Sequence, residues 1–144
     1  MIKLVLDTNV FVSGFLWEGK EAELIRKIEK KEAGNFITPE IMSEIEKVIT
    51  QDKFKGLLTK AGLTSDEILQ KITSLSHIVI GPKLKENVVK VDPTDDKFIE
   101  CAINSNAQYI VSRDRDLLNL NEYRNIKIIT TYQTLKLLNN RDQR

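Results

Sequence analysis

The residues of this chain most able to do chemistry are carboxylates that follow apolar runs. Ile2-Lys3-Leu4-Val5-Leu6 reads as a strand buried on both faces, and it stops on Asp7-Thr8-Asn9. A charge directly after Leu-Val-Leu is costly to half-bury unless it is paired or holds a cation. Open α/β sheets bind ligands at the carboxyl ends of their strands, which makes Asp7 a candidate site residue; its alternative role is to cap the helix that follows. Tyr109-Ile110-Val111-Ser112 ends in the same way on Arg113-Asp114-Arg115-Asp116, so Asp114 falls at the same edge. Asp116 is a second candidate there, or the cap of a short helix at Leu117-Leu118.

Helical geometry selects two more acids. In the helix after Thr38-Pro39, the stripe of Ile41, Met42, Ile45, Val48 and Ile49 leaves Glu44 about 40° outside its edge, while Glu40 and Glu46 lie further round. Glu44 is expected at the rim of the buried face, within reach of a cleft. In Asp92-Pro93-Thr94-Asp95-Asp96, the stripe of Phe98, Ile99, Ala102 and Ile103 is centred near the direction of Asp95, with Asp96 at its margin. Asp92 reads as an N-cap before a first-position proline, and Asp96 as a first-turn acid favoured by the helix dipole. Asp95 could also close a capping box with Asp92.

Four carboxylates brought to one end of a sheet repel one another unless a cation sits among them. The chain has one histidine, His77, and one cysteine, Cys101, so any metal must be held by oxygen, which suits Mg²⁺ or Mn²⁺. A histidine-based triad is disfavoured for the same reason, and Cys101 reads as a small buried hydrophobe. With 144 residues, 41% hydrophobic and 30% charged, the chain has the size and balance of one globular domain. We expect that domain over residues 1–138, followed by a polar tail from Asn139 to Arg144. No apolar run approaches a membrane span and the first one is too short for a signal peptide, so a cytoplasmic protein without membrane attachment is expected. A net charge of +1 permits nucleic acid as a partner without implying it.

The elements that must position these acids alternate. A short helix or turn is expected over Val10 to Trp17, an amphipathic helix from Glu21 ended by Gly34, a strand at Phe36-Ile37 and the Glu44 helix to about Thr50. Helices follow at Lys53 to Ala61 and, after Gly62, at Thr64 to Ser76, where Thr64 and Glu67 form a capping-box pattern. His77-Ile78-Val79-Ile80 reads as a strand, Lys83 to Lys90 as loop or edge, and Asp92 to Asn106 as a helix. The strands Tyr109 to Ser112 and Ile126 to Ile129 and a last helix capped by Thr130 or Thr131 complete the chain. Strand followed by helix throughout is the pattern of a parallel sheet covered on both faces.

The ordered set Leu-Asp7-Thr8-Asn9-Val-Phe-Val-Ser-Gly, the Glu44 helix, Asp92-Pro-Thr-Asp95-Asp96-Lys97-Phe-Ile-Glu-Cys-Ala and Tyr-Ile-Val-Ser112-Arg-Asp114-Arg-Asp116-Leu-Leu resembles the PIN-domain nucleases. Within them it is similar to the toxin components of prokaryotic toxin-antitoxin pairs. The likeness covers nearly the whole chain and departs at Arg113, where relatives often carry glycine. It implies a three-layer α/β/α sandwich around a central parallel sheet. It further implies Asp7, Glu44, Asp95 and Asp114 as the catalytic, metal-binding acids, and Asn9, Ser112, Asp116 and Asp96 as supporting neighbours. The implied activity is Mg²⁺- or Mn²⁺-dependent cleavage of RNA to 5′-phosphate and 3′-hydroxyl ends, with a cognate antitoxin and a homodimer as expected associations. Arg113 and Arg115 could meet substrate phosphates, as could Lys53 and Lys55, although solvated lysines explain the last two. Two rivals are an inert scaffold of the same fold that binds RNA or a protein, and a phosphoryl-transfer enzyme using Asp7 as nucleophile. Concentrated negative charge disfavours the first, and Asn9, where that chemistry wants a second acid, disfavours the other.

Overall fold

The computed structural model describes residues 1–85, 88 and 95–142. In chain order the elements are β1 (Ile2–Leu6), α1 (Thr8–Leu16), α2 (Lys20–Glu29), β2 (Ala33–Ile37), α3 (Pro39–Ile49), α4 (Asp52–Ala61), α5 (Ser65–Leu75), β3 (Ser76–Ile78), α6 (Asp96–Ser105), β4 (Tyr109–Val111), α7 (Arg115–Leu120), β5 (Glu122–Tyr123), β6 (Ile126–Ile129) and α8 (Thr131–Asp142). Six strands form one sheet in the order β3-β2-β1-β4-β6-β5, parallel except for β5 against β6. The chain moves outward from β1 through β2 to β3, then returns to build β4 and β6 on the other side. The carboxyl ends of β1 and β4 therefore flank the point where strand order reverses, the crevice that α/β sheets use for ligands.

Leu4, Val5 and Leu6 are buried in succession, which requires both faces of β1 to be covered. On one side α6 lies across β1, β2 and β4 and also meets α3; elsewhere α2 packs against α1 and α8. The apolar interior is continuous from Phe11, Leu24 and Ile25 through the strands to Ile41, Ile45, Phe98, Ile99 and Ala102. Cys101 is fully buried, and burial pushes its thiol up to about 12. Among the described residues no helix is long and apolar enough to cross a membrane.

Several expected boundaries move. Gly34 does not end α2, which stops at Glu29: Lys31 takes the left-handed conformation (φ 64°), and its turn is closed by the Glu32 N–H donating to the Lys27 carbonyl. Gly34 instead lies inside β2, where a Cβ would stand 2.7 Å from the Met1 side chain. The third strand is Ser76–Ile78 rather than His77 to Ile80. Helix α6 is described from Asp96, and Asp92, the expected N-cap, lies outside the described residues. Asp114, not Asp116, caps α7. The polar segment from Asn139 continues α8 as far as Asp142. The antiparallel strand β5 was not expected; it joins β6 through Arg124 and Asn125, both at positive φ (49° and 67°), as a two-residue hairpin turn requires.

The caps at Thr38 and Thr64 form as expected, the second as a complete box in which the Thr64 hydroxyl accepts from Glu67 N–H and the Glu67 carboxylate accepts from Thr64 N–H. Thr64→Ala removes the cap of a helix remote from the acids and should cost about 1 kcal/mol of stability, read as a lower urea midpoint at unchanged slope. A loss below a few tenths of that would show that packing of Ile68 and Ile72, not the cap, sets the start of α5.

Candidate acidic site at the carboxyl edge of the sheet

Asp7 follows β1 and is 4% exposed. Its own N–H donates to the Val111 carbonyl at the end of β4, which locks the two strand ends together. Its Oδ1 accepts the Asn9 N–H at 2.9 Å, capping α1, and its Oδ2 accepts the Ser112 hydroxyl at 2.6 Å. The same local geometry recurs after β4, where Asp114 Oδ1 accepts the Asp116 N–H at 2.8 Å and caps α7. Fully buried Ser112 joins the two: its oxygen donates to Asp7 and accepts the Asp114 N–H at 2.9 Å. Cap and site residue are therefore one role for each of these acids. One carboxylate oxygen fixes the helix start, and the rest of the group stays at the edge of the sheet.

Glu44 reaches the site from α3. The Thr8 hydroxyl donates to its Oε2, and Lys97 Nζ stands 2.7 Å from its Oε1. The Glu44 side chain is 31% exposed, at the rim where the helical period puts it, whereas Lys97 is 8% exposed. Thr8 and Lys97 are the members that sequence reasoning missed. Thr8 was visible as the residue next to Asp7. Lys97 was not, because its direction lies away from the apolar stripe of α6; it is buried all the same, in a helix that also meets α3, which carries Glu44.

Asp95 and Asp96 are 8% and 7% exposed, so burial does not separate them. Asp95 stands at the N-cap position of α6, and both oxygens of Asp96 accept the Val88 N–H, at 3.1 and 3.2 Å. Asp96 thus ties a loop to the helix instead of lying at the margin of its apolar stripe. Asn9 contributes through its backbone amide, its side chain being exposed. The Arg113 guanidinium donates to Ser13 Oγ at 2.6 Å and lies 3.7 Å from Glu21, which directs it toward α1 and α2. Arg115 is exposed at the start of α7, and Lys53 and Lys55 are exposed on α4, with Lys55 paired to Asp52. His77 stacks on Phe36 at the β2–β3 edge of the sheet, away from the acids.

The electrostatics of the acids show in Asp7. Burial is the main reason that its carboxyl is raised above the ordinary value; the hydrogen bonds from Ser112 and Asn9 oppose this, and the charges of Asp114 and Glu44 add to it. Asp7 is thus a buried acid that feels two other acids. The donor chemistry fits a hard divalent ion: carboxylates from β1, β4 and α3, with no thiolate or imidazole near. Among the described residues no group of three or more acids, histidines or cysteines is gathered closely enough to hold a metal by itself.

Fold and site together define an α/β protein with an acidic centre at the switch point of a mostly parallel sheet. Residues 3–116 match the PIN domain family, and the chain belongs to that family, whose members are generally nucleases that use divalent metals. The uncharacterized protein MJ1680 of Methanocaldococcus jannaschii is 32% identical over 124 residues, which cover 84% of this chain and 76% of that protein. The crystal structure of PAE2754 from Pyrobaculum aerophilum superposes with a TM-score of 0.64 over 97% of this chain and 96% of that one, at 17% identity, a likeness of fold.

The raised Asp7 carboxyl has a consequence for stability. The folded state holds the proton more tightly than the unfolded state, whose value is near 3.8, so stability is present below that value and is lost as pH rises from there through the raised value. Asp7→Asn removes the titration, although the amide keeps only one acceptor for the two donors. In chelator, the stability of Asp7→Asn relative to wild type should therefore increase as pH rises through that window and then level off. Urea denaturation at a series of pH values measures this, and a constant difference would show that Asp7 is not perturbed.

Proposed function

We propose that this chain is a Mg²⁺- or Mn²⁺-dependent endoribonuclease that hydrolyses RNA phosphodiesters, leaving 5′-phosphate and 3′-hydroxyl ends. We propose further that it is the toxin of a toxin-antitoxin pair, a cytoplasmic homodimer restrained by a cognate antitoxin protein. The observation that carries the nuclease reading is the hydrogen-bonded run Asp7–Ser112–Asp114 at the switch point, with Glu44 near enough to act on the Asp7 carboxyl. Ser112 holds the two strand-end acids in register, Thr8 and Lys97 hold Glu44, and Asp95 opens α6 in the chain's third acidic motif. A divalent cation bound by these carboxylates supplies a water of lowered pKa and neutralises charge on the phosphate. An inert scaffold is the second reading, favoured by the fact that both Glu44 oxygens are already engaged.

Cleavage of a pooled RNA substrate with Mg²⁺, Mn²⁺ or chelator separates the two readings. The nuclease reading expects metal-dependent cutting that Asp7→Asn and Asp95→Asn each slow by at least about 100-fold, the scale for losing one electrostatic stabiliser. Asp96→Asn should stay within a few-fold in rate, its carboxylate being engaged by the Val88 amide. Cutting by Asp7→Asn at the wild-type rate would reject the site, and no cutting by wild type under any metal would leave the scaffold. A short neighbouring reading frame with a DNA-binding N-terminus would support the toxin assignment.

A further inference from the structure

The two halves of the acidic site are held differently. Among the described residues, Asp7 and Asp114 receive only hydroxyl and amide donors, with no cation paired to either. Glu44 instead has a lysine 2.7 Å from one oxygen and the Thr8 hydroxyl on the other. Lys97 is buried, its ammonium lying 5.3 Å from the ring centre of Phe98, which is itself fully buried. A lysine is seldom buried at all, and once buried it depends on its carboxylate, because removing one member of such a pair leaves an uncompensated charge in the interior. A divalent ion seated on Glu44 would share that carboxylate with the Lys97 ammonium and be repelled by it at close range. An ion seated on Asp7 and Asp114 would displace no cation and would relieve the repulsion that those acids share.

Resting on the nuclease reading, we propose that the Lys97 ammonium occupies one of the two cation positions that a phosphodiester-cleaving acidic site can offer, so that the chain takes a single divalent ion, on the Asp7–Asp114 side. Two-ion sites divide the attacking and leaving oxygens of an in-line displacement between their metals. Here the side facing Glu44 is served by a charge that belongs to the fold. Lys97 is a positioning residue: it acts through Glu44, and its charge is present before metal or RNA arrives.

Isothermal titration of the whole chain with Mn²⁺ alone, without RNA, counts the ions. The expected result is one Mn²⁺ per chain in wild type and in Lys97→Arg, and two in Lys97→Met, where an uncharged side chain of similar length frees the Glu44 carboxylate. A lysine that merely joins α3 to α6 predicts the same count in all three. Two ions in wild type, or one in a folded Lys97→Met, would overturn the inference and leave the metal-dependent nuclease standing. No Mn²⁺ binding by wild type at millimolar concentration would overturn both. If Lys97→Met does not fold, Lys97→Gln replaces it, and the wild-type count tests the proposal in either case.

Discussion

The structure turns on the problem of burying a carboxylate at the end of the central strand. Asp7 is placed there because Leu4 to Leu6 must be covered on both faces, which carries the next residue into the interior as well. An ionised acid in that position is tolerated only when its oxygens are satisfied. The solution is Ser112, whose hydroxyl donates to Asp7 while accepting from the Asp114 amide. Because Ser112 N–H also donates to the Ile129 carbonyl, one residue connects the carboxyl ends of β1, β4 and β6. The positions of the two strand-end acids are thereby consequences of sheet register, not of loop conformation.

What could be read from the amino-acid order follows from this. Apolar runs of four or five residues that stop on Asp or Ser-x-Asp located β1 and β4 and their acids, and the 3.6-residue period put Glu44 at the rim of α3, where it lies. The choice between cap and site at Asp7 could not be made from sequence, and the structure dissolves it, since Oδ1 caps the helix while Oδ2 meets Ser112. Signals with one physical meaning survived well, such as Thr38 before Pro39 or Thr64 with Glu67. Glycine, which has several meanings, misled: Gly34 lies inside β2, while the left-handed turn fell to Lys31.

The residues that stayed hidden owe their environment to tertiary packing. Helix α6 reads as amphipathic, yet Asp96, Lys97, Phe98, Ile99 and Cys101 are all buried in a helix that meets β1, β2, β4 and α3. A wheel drawn on one helix assumes a single covered face, and Lys97, which lies outside the apolar stripe, is buried all the same. The β5–β6 hairpin was hidden for a different reason. Its turn is Arg124-Asn125 and lacks the glycine that usually marks two positive φ values, so the strain is carried by residues with side chains.

The burial of Lys97 also bears on how a protein of net charge +1 can concentrate acids where, on the proposed function, a polyanion approaches. A cation on a solvated side chain near the edge would be screened and mobile. Placed inside, beside Phe98 and against Glu44, the same charge acts at short range through a medium of lower dielectric. It offsets one acid without opening the site to solvent. Among the described residues, Asp7 and Asp114, the two groups joined by Ser112, have no cation paired to them. Asp7 reports that residual charge through its raised carboxyl, and it is there, at the meeting of β1 and β4, that an external cation would gain most by binding.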